Sequence, residues 1–209
     1  MSSKKPLFVI LHGLCNTSWH VRQIEKKLRS LGHSTWSITY PSLKLSIEDN
    51  ANYVSKELDK VYCGRPLIGI GHSMGGIVLR HLSERYSWKG SILIGSPNRG
   101  SSAAKHILKT PLINLFCGPS INDLATGKNW PMPAEPSTLF FSKSGFSIFC
   151  PQSLLLKFFG WKPTGDHDGL VTVDEVQCEI FNRVIELPEN HVKMIKNQSV
   201  ISEACSFVS

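Results

Sequence analysis

The chain has 209 residues, 41% apolar and 19% charged, a balance that excludes a disordered or fibrous chain and leaves room for a sizeable core. Its 23 Lys and Arg against 16 Asp and Glu leave a net charge of +7. No basic run is interleaved with aromatics, which speaks against a nucleic-acid partner. Cys15, Cys63, Cys117, Cys150, Cys178 and Cys205 are scattered without a C-x-x-C pair, which speaks against a zinc ribbon or a disulfide scaffold.

No apolar stretch is long enough to span a bilayer, and the first five residues show no signal-peptide pattern before a strand begins. A single domain over 1–209 in the cytoplasm is therefore expected, with at most peripheral contact with anionic lipid.

Leu7 to Leu11 is an unbroken apolar run, the mark of a strand buried on both faces, and it stops at His12-Gly13-Leu14. Ser18 is a cap candidate for a helix with Val21, Ile24, Leu28 and Leu31 at helical spacing, ended by Gly32. A β-rich run follows from Thr35 to Tyr40. Ser46 and Asp49 form an imperfect capping box for a helix striped by Ile47, Val54, Leu58 and Val61. Leu67, Ile68 and Ile70 form a further buried strand, and Ile77, Val78, Leu79, Leu82 and Tyr86 a further helix. Lys89 to Ile94 gives a fourth strand, ending at Gly95-Ser96-Pro97-Asn98.

Four strands alternating with helices predict a parallel sheet covered on both faces, with ligands bound beyond the carboxyl ends of the strands. After residue 100 the pattern weakens. A helix near Ala103 to Leu108 and a Pro-rich irregular loop precede a strand at Leu139 to Ser142. Residues 146–161 are rich in Phe and Leu and read equally as a lipophilic lid or rim and as a core helix. Val184 to Leu187 is the last strand, and a helix from Asn197 to Phe207 closes the chain.

Between the third strand and its helix lies Gly71-His72-Ser73-Met74-Gly75, a G-x-S-x-G motif. A serine there sits on a tight turn whose neighbours must lack Cβ, with its hydroxyl at a helix N-terminus that favours negative charge. An activated serine needs a base, and the base an orienting acid. His191, after the last strand, is the candidate base. Asp168 in Gly165-Asp166-His167-Asp168-Gly169 is the preferred acid, because it directly precedes a tight turn and the apolar Leu170-Val171; Asp166 remains an alternative. His167 lies too close to the acid to reach Ser73 from the opposite side. Asp166, His167 and Asp168 have metal-ligating chemistry, but no further ligands are evident, so neither metal nor cofactor is expected. An oxyanion hole would use the backbone N–H groups of Met74 and Leu14. His12, His72, Phe146 and Phe149 are the candidates for lining the substrate.

The motifs F-V-I-L-H-G, G-H-S-M-G-G, I-G-S-P-N-R-G-S, H-D-G-L-V and the His191 loop resemble, in this order, the α/β-hydrolase superfamily and its small bacterial lipases and esterases. The resemblance runs from about Lys5 to the end of the chain. It implies a minimal α/β-hydrolase fold, a mostly parallel sheet of about six strands with helices on both faces and at most a small lid within 101–165. It also implies a Ser73–Asp168–His191 triad that cleaves an apolar acyl ester through an acyl-enzyme. The same superfamily holds thioesterases, acyltransferases and catalytically silent binding proteins, so the resemblance does not fix the substrate.

Overall fold

The computed structural model describes residues 5–111, 117–127, 129–176 and 179–208. Cys178 and part of the Pro-rich stretch lie outside them. Strands β1 (Leu7–Leu11), β2 (Ser34–Ser37), β3 (Leu67–His72), β4 (Trp88–Ile94), β5 (Ser137–Ser142) and β6 (Arg183–Leu187) form one sheet in the order β2-β1-β3-β4-β5-β6. Every neighbouring pair is parallel.

Strand periodicity explains the continuous apolar run of β1. Leu7, Val9 and Leu11 enter one core with helices α2 (Ile47–Asp59) and α3 (Met74–Leu82). Phe8 and Ile10 enter the other core, with α1 (Ser18–Ser30) and the C-terminal residues Val200, Ile201 and Ala204. Each such side chain contributes about 1.5–3 kcal/mol by leaving water. β3 divides its residues differently. Ile68 and Ile70 fill the α1 side, while Gly69 and Gly71 bare the sheet on the α3 side, so that α3 lies directly on the backbone. The chain runs from β1 outward to β2, then crosses back to β3. The order therefore reverses between β1 and β3, and a crevice opens beyond their carboxyl ends.

Ser46 caps α2 as expected: its hydroxyl accepts from Asp49 N at 3.0 Å. In α1 the N-cap position falls to Thr17, whose side chain makes no capping bond, and Ser18 is the first helical residue, its amide bonded to the Thr39 hydroxyl. Leu31 and Val61, placed at the ends of the predicted stripes, lie past their helices and are exposed. β2 ends at Ser37, short of the expected Tyr40, because Tyr40 turns inward to stack on His12 with ring centroids 4.1 Å apart. β4 begins at Trp88 and β5 at Ser137, each earlier than expected.

Among the described residues two short helices, α4 (Ser102–Leu108) and α5 (Pro119–Thr126), follow β4. The second occupies sequence expected to be irregular. Pro119 suits a first turn, and Gly127 stops the helix in a left-handed conformation at φ 61°. Ile121, Leu124 and Ala125 are buried against the α2–α3 core. In the 146–161 stretch the helix α6 covers only Pro151–Phe158. A four-residue helix, α7 (Val173–Val176), and a C-terminal helix, α8 (Gln198–Ser206), complete the described chain. Among the described residues no helix is long and apolar enough to cross a membrane.

Candidate active site

β3 ends at His72 and α3 begins at Met74, so Ser73 alone makes the turn. Its backbone stands at φ 56°, ψ −127°, a conformation that costs an L-residue on the order of 1–3 kcal/mol. Close packing enforces it. A Cβ on Gly71 would strike the Gly76 backbone, and one on Gly75 would lie 2.5 Å from the His12 carbonyl oxygen. The Ser73 amide donates to the Ile94 carbonyl at 2.7 Å, which ties the turn to the end of β4. Gly13 presses on the serine from β1: a Cβ there would come within 2.9 Å of Ser73 Cβ. Leu14 is therefore one residue from contact with Ser73. Met74 opens α3, where the first amides have no acceptor within the helix.

Asp168 and His191 come from the loops after β5 and β6 and are both buried. Asp168 Oδ1 accepts from Leu170 N at 2.9 Å and Val171 N at 2.8 Å. Its Oδ2 accepts from His191 Nδ1 at 2.6 Å, and its carbonyl accepts from His191 N at 2.9 Å. Ring and backbone of the histidine are thus both referred to one aspartate. A carboxylate partner places the proton on Nδ1 and leaves the lone pair on Nε2. A Cβ on Gly95 would lie 3.1 Å from both Asp168 Oδ2 and His191 Nδ1. Gly95 follows Ile94, so the serine turn and the acid–base pair abut consecutive residues at the end of β4. Among the described residues no hydrogen bond joins the Ser73 hydroxyl to His191. Catalytic hydrogen bonds are commonly long in unliganded enzymes and tighten around substrate.

Two further histidines, His72 and His12, hold this arrangement in place. His72 Nε2 donates to the His191 carbonyl at 2.7 Å. Burial, followed by the nearby His191, holds the His72 pKa well below the usual imidazole range, so its ring remains a neutral donor. His12 Nδ1 donates to the Gly13 carbonyl at 2.8 Å, and His12 Nε2 accepts from Tyr40 N at 3.3 Å. The Tyr40 hydroxyl donates to the His12 carbonyl. Burial lowers the His12 pKa and raises that of Tyr40. Both rings support loops of the site rather than offer a base.

Asp166 is exposed, whereas Asp168 carries the bond to His191. His167 Nδ1 accepts from Gly169 N at 3.0 Å. Phe146 packs edge-on against His167 and Trp161, with centroids 4.7 and 5.9 Å apart. Phe149 is exposed beneath the Lys193 ammonium, 3.4 Å from its ring centre. Among the described residues no group of three or more His, Cys, Asp or Glu is placed to hold a metal ion. A concavity of about 360 Å³ lies elsewhere, lined by Lys26, Lys27, Lys196 and Gln198, and contains none of these residues.

Gly95, at the strand end that the I-G-S-P motif marks, leaves space for the acid–base pair. Two contributors were not singled out from the sequence. Asn190 fixes the turn that contains His191 by accepting from Lys193 N at 3.1 Å and donating to the Ser147 hydroxyl at 3.0 Å. Arg80, buried on α3, donates to Asn98 Oδ1 at 2.8 Å and to the Pro131 carbonyl at 2.5 Å, which ties α3 to two loops.

A profile of the alpha/beta hydrolase family matches residues 8–176. Methyl jasmonate esterase 1 of Vitis vinifera is 25% identical over 103 residues, a match that spans 45% of this chain and 40% of that protein. Bacillus licheniformis lipase BlEst2 in its mature form superposes with a TM-score of 0.77 at 19% identity, covering 98% of this chain and 92% of that one. Polyneuridine aldehyde esterase superposes with a TM-score of 0.62 at 14% identity, covering 99% and 100%. At such identities the two structures speak for the fold alone.

Proposed function

Since the chain belongs to the alpha/beta hydrolase family, we propose that it is a serine carboxylester hydrolase acting on an apolar acyl ester. The observation that carries this reading is the Asp168–His191 bond of 2.6 Å, set against the same end of β4 whose Ile94 carbonyl holds the Ser73 amide.

His191 Nε2 takes the proton of Ser73 as the oxygen attacks the ester carbonyl carbon. The imidazolium is stabilised by Asp168, whose other oxygen is fixed by two backbone amides. The Leu14 and Met74 N–H groups receive the oxyanion; losing one such donor costs about 3–4 kcal/mol of transition-state stabilisation. Collapse of the tetrahedral intermediate breaks the ester C–O bond, and the imidazolium protonates the departing alkoxide. Water, deprotonated by His191, then attacks the acyl-enzyme, releases the acid and restores the serine. Phe146, packed against His167, and the exposed Phe149 beneath Lys193 favour an apolar acyl group.

The test is a p-nitrophenyl ester series of increasing acyl length, together with fluorophosphonate labelling. Wild type turns the esters over and is labelled. Ser73→Ala loses about 10⁴-fold or more in kcat/KM and the label while keeping its circular dichroism. Turnover that survived the substitution would remove Ser73 from its role. An unlabelled, inactive wild type would identify a silent binding scaffold, and preference for acyl-CoA or alcohol acceptors a thioesterase or acyltransferase.

A further inference from the structure

Helix α6 buries Ser153 and Leu156 and turns Leu154, Leu155 and Phe158 toward water. Phe158 is 83% exposed, and the loop before the helix adds Ile148 at 77% and Phe149 at 59%. Single exposed apolar side chains are ordinary, but five within eleven residues form a patch of the kind that marks an interaction surface. A helix of eight residues is marginal alone, so this one depends on what lies beneath it. Leu156 and Trp161 pack there on Ala103, with Phe146 and Leu170 beside them.

The patch is fastened to both catalytic loops. Gly145 N donates to the His167 carbonyl at 2.7 Å, next to Asp168. The Ser147 hydroxyl accepts from Asn190 Nδ2 at 3.0 Å, next to His191. Within residues 143–165 its charge has one sign. From Lys143 to Gly165 the sequence holds Lys143, Lys157 and Lys162, and no carboxylate until Asp166. Lys143 pairs with Glu186 at 3.1 Å. The Lys157 ammonium lies 4.8 Å from the Phe146 ring centre, and Lys193 lies over Phe149, so these cations stand at the level of the apolar side chains.

We propose that this face docks on an anionic phospholipid surface. Ile148, Phe149, Leu155 and Phe158 enter the boundary between headgroups and acyl chains, and Lys157, Lys162 and Lys193 meet the lipid phosphates. Charge complementarity selects this occupant. A second copy would set lysine against lysine in a chain of net charge +7, whereas an anionic bilayer matches both the apolar side chains and the cations. Docking orients the Asp168 and His191 loops toward lipid, and it does not depend on the ester-hydrolase reading.

The experiment is co-sedimentation of the whole chain with vesicles of pure phosphatidylcholine and with vesicles carrying about 30% phosphatidylglycerol. Wild type and Ser73→Ala partition equally, at least about tenfold more onto the anionic vesicles, and this preference fades at about 0.5 M salt. Leu155→Glu/Phe158→Glu loses about tenfold or more in partitioning while turnover of a water-soluble ester is unchanged. Lys157→Glu/Lys162→Glu loses about fivefold or more per lysine. The proposal is overturned by failure of wild type to bind anionic vesicles, by binding that ignores lipid charge, or by undiminished binding of the Glu variants. It is equally overturned by a dimer in light scattering that disappears in Leu155→Glu/Phe158→Glu without vesicle binding. Vesicle binding by a chain that hydrolyses no ester leaves it standing and removes only the ester-hydrolase reading.

Discussion

The two halves of the candidate site are built by different means. The serine half is backbone against backbone: Ser73 is held at φ 56° because β3, α3 and the loop after β1 pack too closely for side chains. The acid–base half is side chain against backbone: Asp168 is aimed by the Leu170 and Val171 amides, and His191 by Asp168. The first half should fail when an atom is added, and the second when an atom is exchanged.

The exchange has the larger expected effect. Asp168→Asn keeps an oxygen for the Leu170 and Val171 amides but turns an NH₂ toward His191 Nδ1. The imidazole must then carry its proton on Nε2, where the base is needed. A loss of roughly 10³–10⁴-fold in kcat follows, with at most about 1–2 kcal/mol of stability lost. Asp166→Asn should stay within about threefold of wild type, because a surface change away from such features is nearly neutral. Steady-state kinetics on one soluble ester measures both, and the reverse ranking would reassign the acid.

The addition is Gly75→Ala. Its methyl would sit 2.5 Å from the His12 oxygen and 2.6 Å from the Leu11 oxygen, both backbone atoms that cannot swing aside. A loss of about 2–3 kcal/mol in urea unfolding is expected, with activity falling alongside it. A variant as stable as wild type would mean that the elbow is looser than its glycines indicate.

The same division governs how much of the molecule was legible. The elbow was legible because its causes are local: an apolar strand, glycines around a serine, and a helix pattern directly after. Asp168 could be preferred over Asp166 because the amides that fix it belong to the next residues in the chain. Helix α5 was not legible: its buried Ile121, Leu124 and Ala125 span barely more than one turn, and prolines lie on either side of it in sequence. The early end of β2 was hidden for another reason, since it depends on Tyr40 meeting His12, 28 residues away. The outward face of α6 reads as helical periodicity, but sequence does not say which side of a short helix is covered.

The His72–His191 bond spans 119 residues and was equally hidden; it joins the two halves. In the proposed mechanism His72 Nε2–H holds the backbone of the base without touching the reacting atoms, which makes it a positioning residue. His72→Phe should lower kcat about tenfold with KM nearly unchanged, since a base displaced by a fraction of an ångström loses transition-state alignment first. His72→Gln, whose NH₂ can reach the same carbonyl, should recover most of that loss. Equal defects in both variants would reduce the contact to packing.

The smallest effect lies in the pH dependence of folding. His20 on α1 sets its ring 4.8 Å from His72, and its Nε2 is buried without a hydrogen-bond partner among the described residues. Burial first, then the charges of His191, Lys196 and His12, pull its pKa down from 6.5 to about 4. The unfolded chain therefore binds a proton near pH 6.5 that the folded chain refuses until about pH 4, so stability declines as pH falls through this window. His72, also lowered, adds a decline of the same sign. Each histidine contributes at most about 1.4 kcal/mol per pH unit. His20→Gln cannot take up that proton, so its urea midpoint should fall less than that of wild type between pH 7 and pH 5, while the remaining His72 keeps some slope. Identical slopes would mean that His20 is hydrated when folded, and that the elbow side of the site is wetter than its packing implies.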